Sequence, residues 1–311
     1  MVDATADADL PALSPWGPED QIGRMNLITP ESRLSVMSEL DAGKVFDISV
    51  DFFVGMPSWQ AAGDLCFQQW MSHTPRGTIV ENVVGTAEDE DARVGYSGDS
   101  ISMYVHTGTH IDTLCHFSRY GYIWNRFSEK QHLGSRHWTK CGADQLPPII
   151  ARGVLLDVAG MLGIDMLPQG YGVSVQEIKD TLKRQGTELR QGDVVITRTG
   201  RMRIWPDFEQ TMVDSPGISL PAARYLVEEG GAIMLGGDNV SVEQMPSAEP
   251  DNWIPVHCYC FQDVGVNLLE FANVEELAAE EIYEFGFMGF PLKIRGTTGT
   301  PVRPVCIPFR K

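Results

Sequence analysis

Apolar residues gather in short runs punctuated by turn formers, and the runs alternate with stretches where they recur at helical spacing. Residues 153–158, 193–197 and 232–235 are near-continuous apolar runs, the pattern of strands covered on both faces. Between them, Ser174 and Glu177 form a capping box that opens a helix ending near Gln185-Gly186. Ser219, with Pro221 in the first turn, opens a second helix that stops at Gly230-Gly231. Thr29 caps a helix beginning at Pro30, with Glu31 in the first turn and Leu34, Met37 and Leu40 as its apolar stripe. Asn273 and Glu276 mark the start of a last amphipathic helix. Further strands are expected over 45–53, 101–105, 264–269 and 291–294. Alternation of strands and helices throughout predicts an α/β or α+β sheet protein.

The chain has 311 residues, room for one large domain or two ordinary ones. With no internal repeat and no linker, the expectation is a flexible acidic leader over 1–15 and a single domain over 16–311. Residues 88–91 are four consecutive acids, read as a solvated loop. Lys and Arg number 24 against 42 Asp and Glu, a formal charge of -18, which repels phosphate backbones and anionic lipid. Nucleic-acid and membrane partners are therefore not expected. Six cysteines with no C-x-x-C pair do not form a disulfide framework and are read as reduced thiols. The first ten residues carry three Asp and no Lys or Arg, unlike a secretory or transit segment, and no apolar run reaches eighteen residues. A cytoplasmic location follows as an expectation.

Chemistry concentrates at His106-Thr107-Gly108-Thr109-His110-Ile111-Asp112, with His116 close behind; three of the seven histidines lie within these eleven residues. Two imidazoles and a carboxylate make a mixed nitrogen and oxygen donor set for divalent Zn, Mn or Fe. Thr107, Gly108 and Thr109 argue against a helix between the histidines. A glycine turn instead folds His106 back toward His110 and Asp112, which share one side of an extended segment. Three ligands leave coordination positions open, as in a catalytic site. His116 can serve as a general base, as a fourth ligand, or only in packing. A second candidate pair is His257, before the strand at 264–269, and Glu270, which closes it; an exposed strand end explains Glu270 equally well. Asp238 is a weaker candidate.

Two chemistries fit. One is metal-assisted hydrolysis. The other is a non-haem iron oxygenase using His110, Asp112 and His257, which leaves His106 and His116 without roles. No G-x-S-x-G or strand-linked G-x-G-x-x-G occurs, so neither a serine nucleophile nor a dinucleotide is implied. A non-catalytic metal-binding protein is the alternative of a different class.

The run from His106 to His116-Phe117 resembles the H-x-G-T-H-x-D-x-P-x-H-F signature of the metal-dependent cyclase family, which includes bacterial kynurenine formamidase, isatin hydrolase and related lactam and lactone hydrolases. Trp16-Gly17-Pro18-Glu19-Asp20-Gln21-Ile22-Gly23 and Asn26-Leu27 resemble its opening, and residues 291–304 its closing segment. The resemblance implies a single α/β domain with a mixed, partly barrel-like sheet and outer helices. It implies metal ligands at His106, His110 and Asp112, a catalytic histidine at His116, and a second metal held with His257 and Glu270. The cofactor implied is Zn or Mn, as one or two ions; the substrate is a small molecule, a lactam, imide, formamide or lactone. A homodimer or homotetramer is the implied assembly. Leu114 stands where the signature has Pro, which bears on substrate choice rather than on any ligand. Neighbouring Cys115 is read as packing. Phe52, Phe53, Trp59, Phe67, Trp70, Tyr122 and Trp124 are candidate walls of an apolar pocket.

Overall fold

A computed structural model describes residues 10–81 and 95–310. Its strands, in chain order, are β1 Phe46–Asp47, β2 Gln68–His73, β3 Gly98–Ser102, β4 His110–Asp112, β5 Ile149–Asp157, β6 Gly172–Val173, β7 Val194–Arg198, β8 Gly217–Ile218, β9 Met234–Gly237, β10 Asn267–Glu270, β11 Glu284–Gly289, β12 Gly299–Pro301 and β13 Val305–Pro308. Nine of them form one mixed sheet, ordered β1-β13-β11-β5-β7-β9-β10-β4-β12 and curled into a half-barrel. The four central strands β5, β7, β9 and β10 run parallel. The flanking strands pair antiparallel. This is the α/β architecture expected, with helices outside the sheet.

The parallel strands are apolar on both faces because each face is covered. Val154 and Leu156 of β5, Val195 of β7 and Leu268 of β10 face a cluster completed by Ile178, Leu182, Ala222 and Leu226 from two helices. Their neighbours Leu155, Val194, Ile196 and Leu269 face the opposite cluster, with Phe285, Phe287, Ile111 and Leu277. The helix Val175–Gln185 has the expected Ser174/Glu177 capping box and ends at left-handed Gly186. The Ser219-capped helix Leu220–Arg224 continues through a π turn, Tyr225–Glu229, to Gly230.

Several elements differ from the sequence pattern. Of 45–53, only Phe46–Asp47 joins a ladder. The strand expected at 101–105 is instead Gly98–Ser102, which pairs with β2 in a ribbon outside the main sheet. In the helix Pro30–Glu39, Leu34 and Met37 are exposed and Val36 is the buried residue. Val36 and Leu40 lie against Gly286 of β11, where a Cβ would meet Leu40 at 2.4 Å, so the missing side chain sets which helix face packs. The helix opened by Asn273 spans only Glu275–Ala279, with Asn273 Oδ1 accepting from the Glu275 N–H (3.4 Å). Residues 291–294 form no strand; Leu292 and Ile294 are exposed, and Pro291 has no N–H to donate.

Within the leader, Ala12 donates its N–H to the Gln262 carbonyl (2.8 Å) and Pro11 accepts from Arg126 (2.8 Å). Residues 1–9 and the acidic run 88–91 lie outside the described residues. Asp20 ties the opening segment to the core, accepting from Trp124 Nε1 (2.9 Å), Ser14 Oγ (2.7 Å) and Asn26 Nδ2 (2.7 Å). All six cysteines are free. Among the described residues, no helix is long and apolar enough to cross a membrane.

Candidate metal centre

The cluster is built by one turn, one short strand and a register. Gly108 has φ +60°, and a Cβ there would meet Met56 and Phe52 at 2.9 Å, so both conformation and space call for glycine. Side chains alternate about this turn. Thr107 bonds Ser58 Oγ (2.9 Å), while Thr109 donates to the Phe271 carbonyl (2.7 Å) and accepts from Val50 N–H (2.9 Å). These contacts pin the backbone from behind and leave His106 and His110 facing the other way. β4 continues the alternation: Ile111 enters the core, and His110 and Asp112 share the opposite face.

Antiparallel pairing with β10 sets Glu270 across from His110 and Leu268 across from Asp112. β12 closes the other edge of β4, with Gly299 opposite Asp112 and Pro301 opposite His110. Proline is tolerated there because β12 is an edge strand. Gly299 also lies against the His106 ring, where a Cβ would meet Cε1 at 2.6 Å. The closing segment thus shapes the site as well.

The six residues singled out in sequence come together in space. His106 Nδ1 lies 2.6 Å from Asp112 Oδ1, and His110 Nε2 lies 3.2 Å from the same oxygen. His110 Nε2 is 3.4 Å from Glu270 Oε2. His257 Nε2 is 3.4 Å from Glu270 Oε1 and 3.7 Å from Asp112 Oδ2. His106, His110 and Asp112 form one compact donor group, and Asp112, His257 and Glu270 a second, sharing Asp112. His116 stacks on His106 at 3.9 Å between ring centroids. Glu270 is buried, not an exposed strand end.

The donor set fits a divalent cation. His110 donates Nδ1–H to the Gly108 carbonyl (2.8 Å), which fixes the ring and turns Nε2 into the cage. That Nε2 and Asp112 Oδ2 are buried without any hydrogen-bond partner. Such atoms are costly unless something positive lies between them. The electrostatics agree. Burial, then the Asp112 charge, pushes Glu270 up to about 7. Burial opposes ionisation of Asp112, but the charges of His106 and His116 and the hydrogen bond from His106 hold it well below the usual carboxylate range. Burial would depress His110; the nearby Asp112 and Glu270 charges outweigh it and raise the imidazole to about 9. His257 is likewise raised to about 10, against burial, by the hydrogen bonds it donates to Glu243 and Glu270. His116 goes the other way: burial, then the neighbouring His106, hold it well below 6.5.

A cavity of about 300 Å³ opens onto this cluster and is lined by His106, His116, His257 and Glu270. Its walls are Trp59, Tyr104, Phe117 and Trp253, with Asp64 also on the lining. Of the aromatics proposed from sequence, Trp59 alone lines it. Phe67 and Trp124 are buried in the fold, Phe53 and Trp70 are exposed, and Phe52 backs Gly108.

Sequence reasoning missed Glu243, whose carboxylate meets His257 Nδ1 at 2.5 Å, and Thr298, whose hydroxyl lies 2.9 Å from His106 Nε2. Glu243 sits beside no recognisable motif, and Thr298 lies within the closing segment 291–304 without a mark of the ring it meets. Asp238 is buried, and it accepts from the N–H groups of Thr199, Gly200 and Arg201, a structural role away from the cluster.

A curled half-barrel sheet with a buried His, Asp and Glu cage on one strand and its neighbours defines a class. The sequence model of the Cyclase family matches residues 46–244, and the chain belongs to that family. A solved structure of a novel cyclase superposes with a TM-score of 0.84 at 25% identity, covering 97% of this chain and 99% of that one. Isatin hydrolase A from Ralstonia solanacearum shares the fold, with a TM-score of 0.64 at 18% identity over 90% of this chain and 98% of its own. Cyclase-like protein 2 of Arabidopsis thaliana is 22% identical over 270 residues, 85% of this chain and 79% of that protein.

Proposed function

We propose that this protein is a metal-dependent hydrolase that opens the C–N bond of a small cyclic amide in the cavity over His106, His116 and Glu270. The observation that carries the reading is the pair of buried, unpartnered donor atoms, His110 Nε2 and Asp112 Oδ2, within a cage of His106, His257 and Glu270. His106, His110 and Asp112 would hold one divalent ion, Zn or Mn; Asp112, His257 and Glu270 would hold a second. When bound, such an ion polarises a carbonyl and makes water more acidic.

The chain's own residues supply the remainder. His116, neutral at pH 7 because its pKa is depressed, accepts the proton of an attacking water at an imidazole nitrogen and returns it to the departing nitrogen. His106 holds the His116 ring by stacking, so the base stays at the cavity wall. Trp59, Phe117 and Trp253 suit a planar, apolar ring, and among the described residues no Lys or Arg lines the cavity, which favours an uncharged substrate. The isatin hydrolase that shares this fold is named for a planar lactam, in keeping with that choice.

A lactone or ester would meet the same groups, but an alkoxide leaves without the proton that an amine requires, so a placed proton donor favours the amide. An iron oxygenase built on His110, Asp112 and His257 would leave His106 and His116 without work. We further propose a homodimer or homotetramer, in line with the family resemblance, and a cytoplasmic location, in line with six free cysteines. The test is a screen of cyclic amides, imides, formamides and lactones with the Zn- or Mn-loaded protein. Turnover of cyclic amides that falls steeply in His116→Ala supports the reading; turnover of lactones alone transfers the activity to esters.

A further inference from the structure

Glu243 lies in the loop after β9, thirteen residues ahead of Val256 and fourteen ahead of His257, and is buried. One carboxylate oxygen, Oε1, faces both the His257 backbone N–H (3.0 Å) and its ring Nδ1 (2.5 Å). The other, Oε2, accepts from Val256 N–H (3.0 Å). Three contacts from one carboxylate fix both the start of the helix Pro255–Cys258 and the plane of the His257 ring. The loop that carries Glu243 is itself held: Gln244 N–H bonds the Ile218 carbonyl (3.1 Å), and Met245 N–H bonds the Ser215 carbonyl (2.8 Å). The opposite ring nitrogen, Nε2, is thereby aimed between Glu270 and Asp112.

The geometry points to Glu243 as the positioning residue for His257: its carboxylate accepts a hydrogen bond from Nδ1–H and so commits Nε2 to the Asp112 and Glu270 side of the cage. This rests on the metal-site reading above and deepens it. It also distinguishes the two halves of the cage. His110 takes its orientation from a backbone carbonyl, whereas His257 takes it from a removable side chain. Loss of the Glu243 charge should therefore weaken the cation held by Asp112, His257 and Glu270 and spare the position held by His106, His110 and Asp112. Carboxylate partners of ligating histidines typically contribute about 10–100-fold in metal affinity.

The experiment is titration of Co(II) and Zn(II) into chelator-stripped protein, comparing wild type, Glu243→Gln, Glu243→Asp and His257→Asn. Alongside it, ¹⁵N-histidine NMR of the Zn-loaded protein reads the strongly hydrogen-bonded Nδ1–H of His257, which a purely structural role would not move. Expected are a weaker binding step by about 10–100-fold in Glu243→Gln, partial recovery in Glu243→Asp, and an upfield shift of the Nδ1–H proton. Thermal melts of the cation-free variants show whether folding survives. Wild-type affinity and an unmoved Nδ1–H in Glu243→Gln, with the weaker step lost in His257→Asn, would overturn the role of Glu243 and leave the cage intact. Wild-type binding in both Glu243→Gln and His257→Asn would remove His257 from the cation site altogether. Failure of the wild type to bind either cation would defeat the metal-site reading itself.

Discussion

At the scale of single residues, the cage is a set of donors whose second atoms are already spoken for. Gly108 fixes His110, Glu243 fixes His257, and Thr298 meets the far nitrogen of His106. In cation-free protein, His110 and His257 are raised to about 9 and 10, so both hold a proton at pH 7 that coordination must displace. Cation uptake should therefore release protons, and affinity should climb as pH rises from about 6 toward 9; calorimetry in buffers of different ionisation enthalpy reads this directly. Affinity independent of pH over that window would contradict the assignment. His116 stacks on His106, and in the proposed reaction its role is proton transfer. His116→Ala should retain its cation and lose turnover by about 10²–10⁴-fold, measured as kcat beside metal content; loss of the cation would make it a ligand. The dense part of this site was legible because His106, His110, Asp112 and His116 fall within eleven residues around an obligatory glycine. Glu243 and Thr298 were not, since an isolated Glu or Thr carries no mark of the distant ring it meets.

At the scale of elements, the reading succeeded where local chemistry decides the outcome. The Ser174/Glu177 box and Gly186 define the helix Val175–Gln185 from within, and continuous apolar runs mark β5, β7 and β9. Ser174 accepts from the Glu177 N–H, so Ser174→Ala should cost about 1 kcal/mol of stability, read as a lower urea midpoint with an unchanged slope. A loss below about 0.3 kcal/mol would show that the Glu177 side chain alone holds that end. Elements decided by tertiary contact were misread. The face of Pro30–Glu39 that packs is set by the gap at Gly286, not by its own apolar stripe. The three-residue strands β4 and β12 carry too few residues for any periodicity, yet they bear the site. Gly108→Ala should disturb both: strain at φ +60° and contact with Phe52 and Met56 predict lower thermal stability and a still larger fall in turnover, as the turn no longer faces His106 toward Asp112. Unchanged turnover in a folded Gly108→Ala would separate the turn from the chemistry.

At the scale of the whole molecule, the sheet is the device that assembles ligands remote in sequence. The Asn267 side chain, on β10, donates to the Asp112 carbonyl across 155 positions of chain, and the same register brings Glu270 opposite His110. Register between distant strands is a property of the folded sheet, which is why, from the residues alone, an exposed strand end explained Glu270 as well as a ligand did. A cage that gathers buried Asp112 and Glu270 carboxylates is strained without a cation, so chelation should lower the melting temperature of wild type and restore it on adding Zn or Mn. The most direct test of the central claim uses Asp112, the residue shared by both donor groups. Chelator-stripped wild type and Asp112→Asn are titrated with Zn or Mn while bound metal and hydrolysis of a cyclic amide are measured together. The account predicts that activity in wild type rises in step with bound metal from a negligible start, and that Asp112→Asn regains neither. Full hydrolysis by metal-free wild type, or stoichiometric metal in Asp112→Asn, would contradict it.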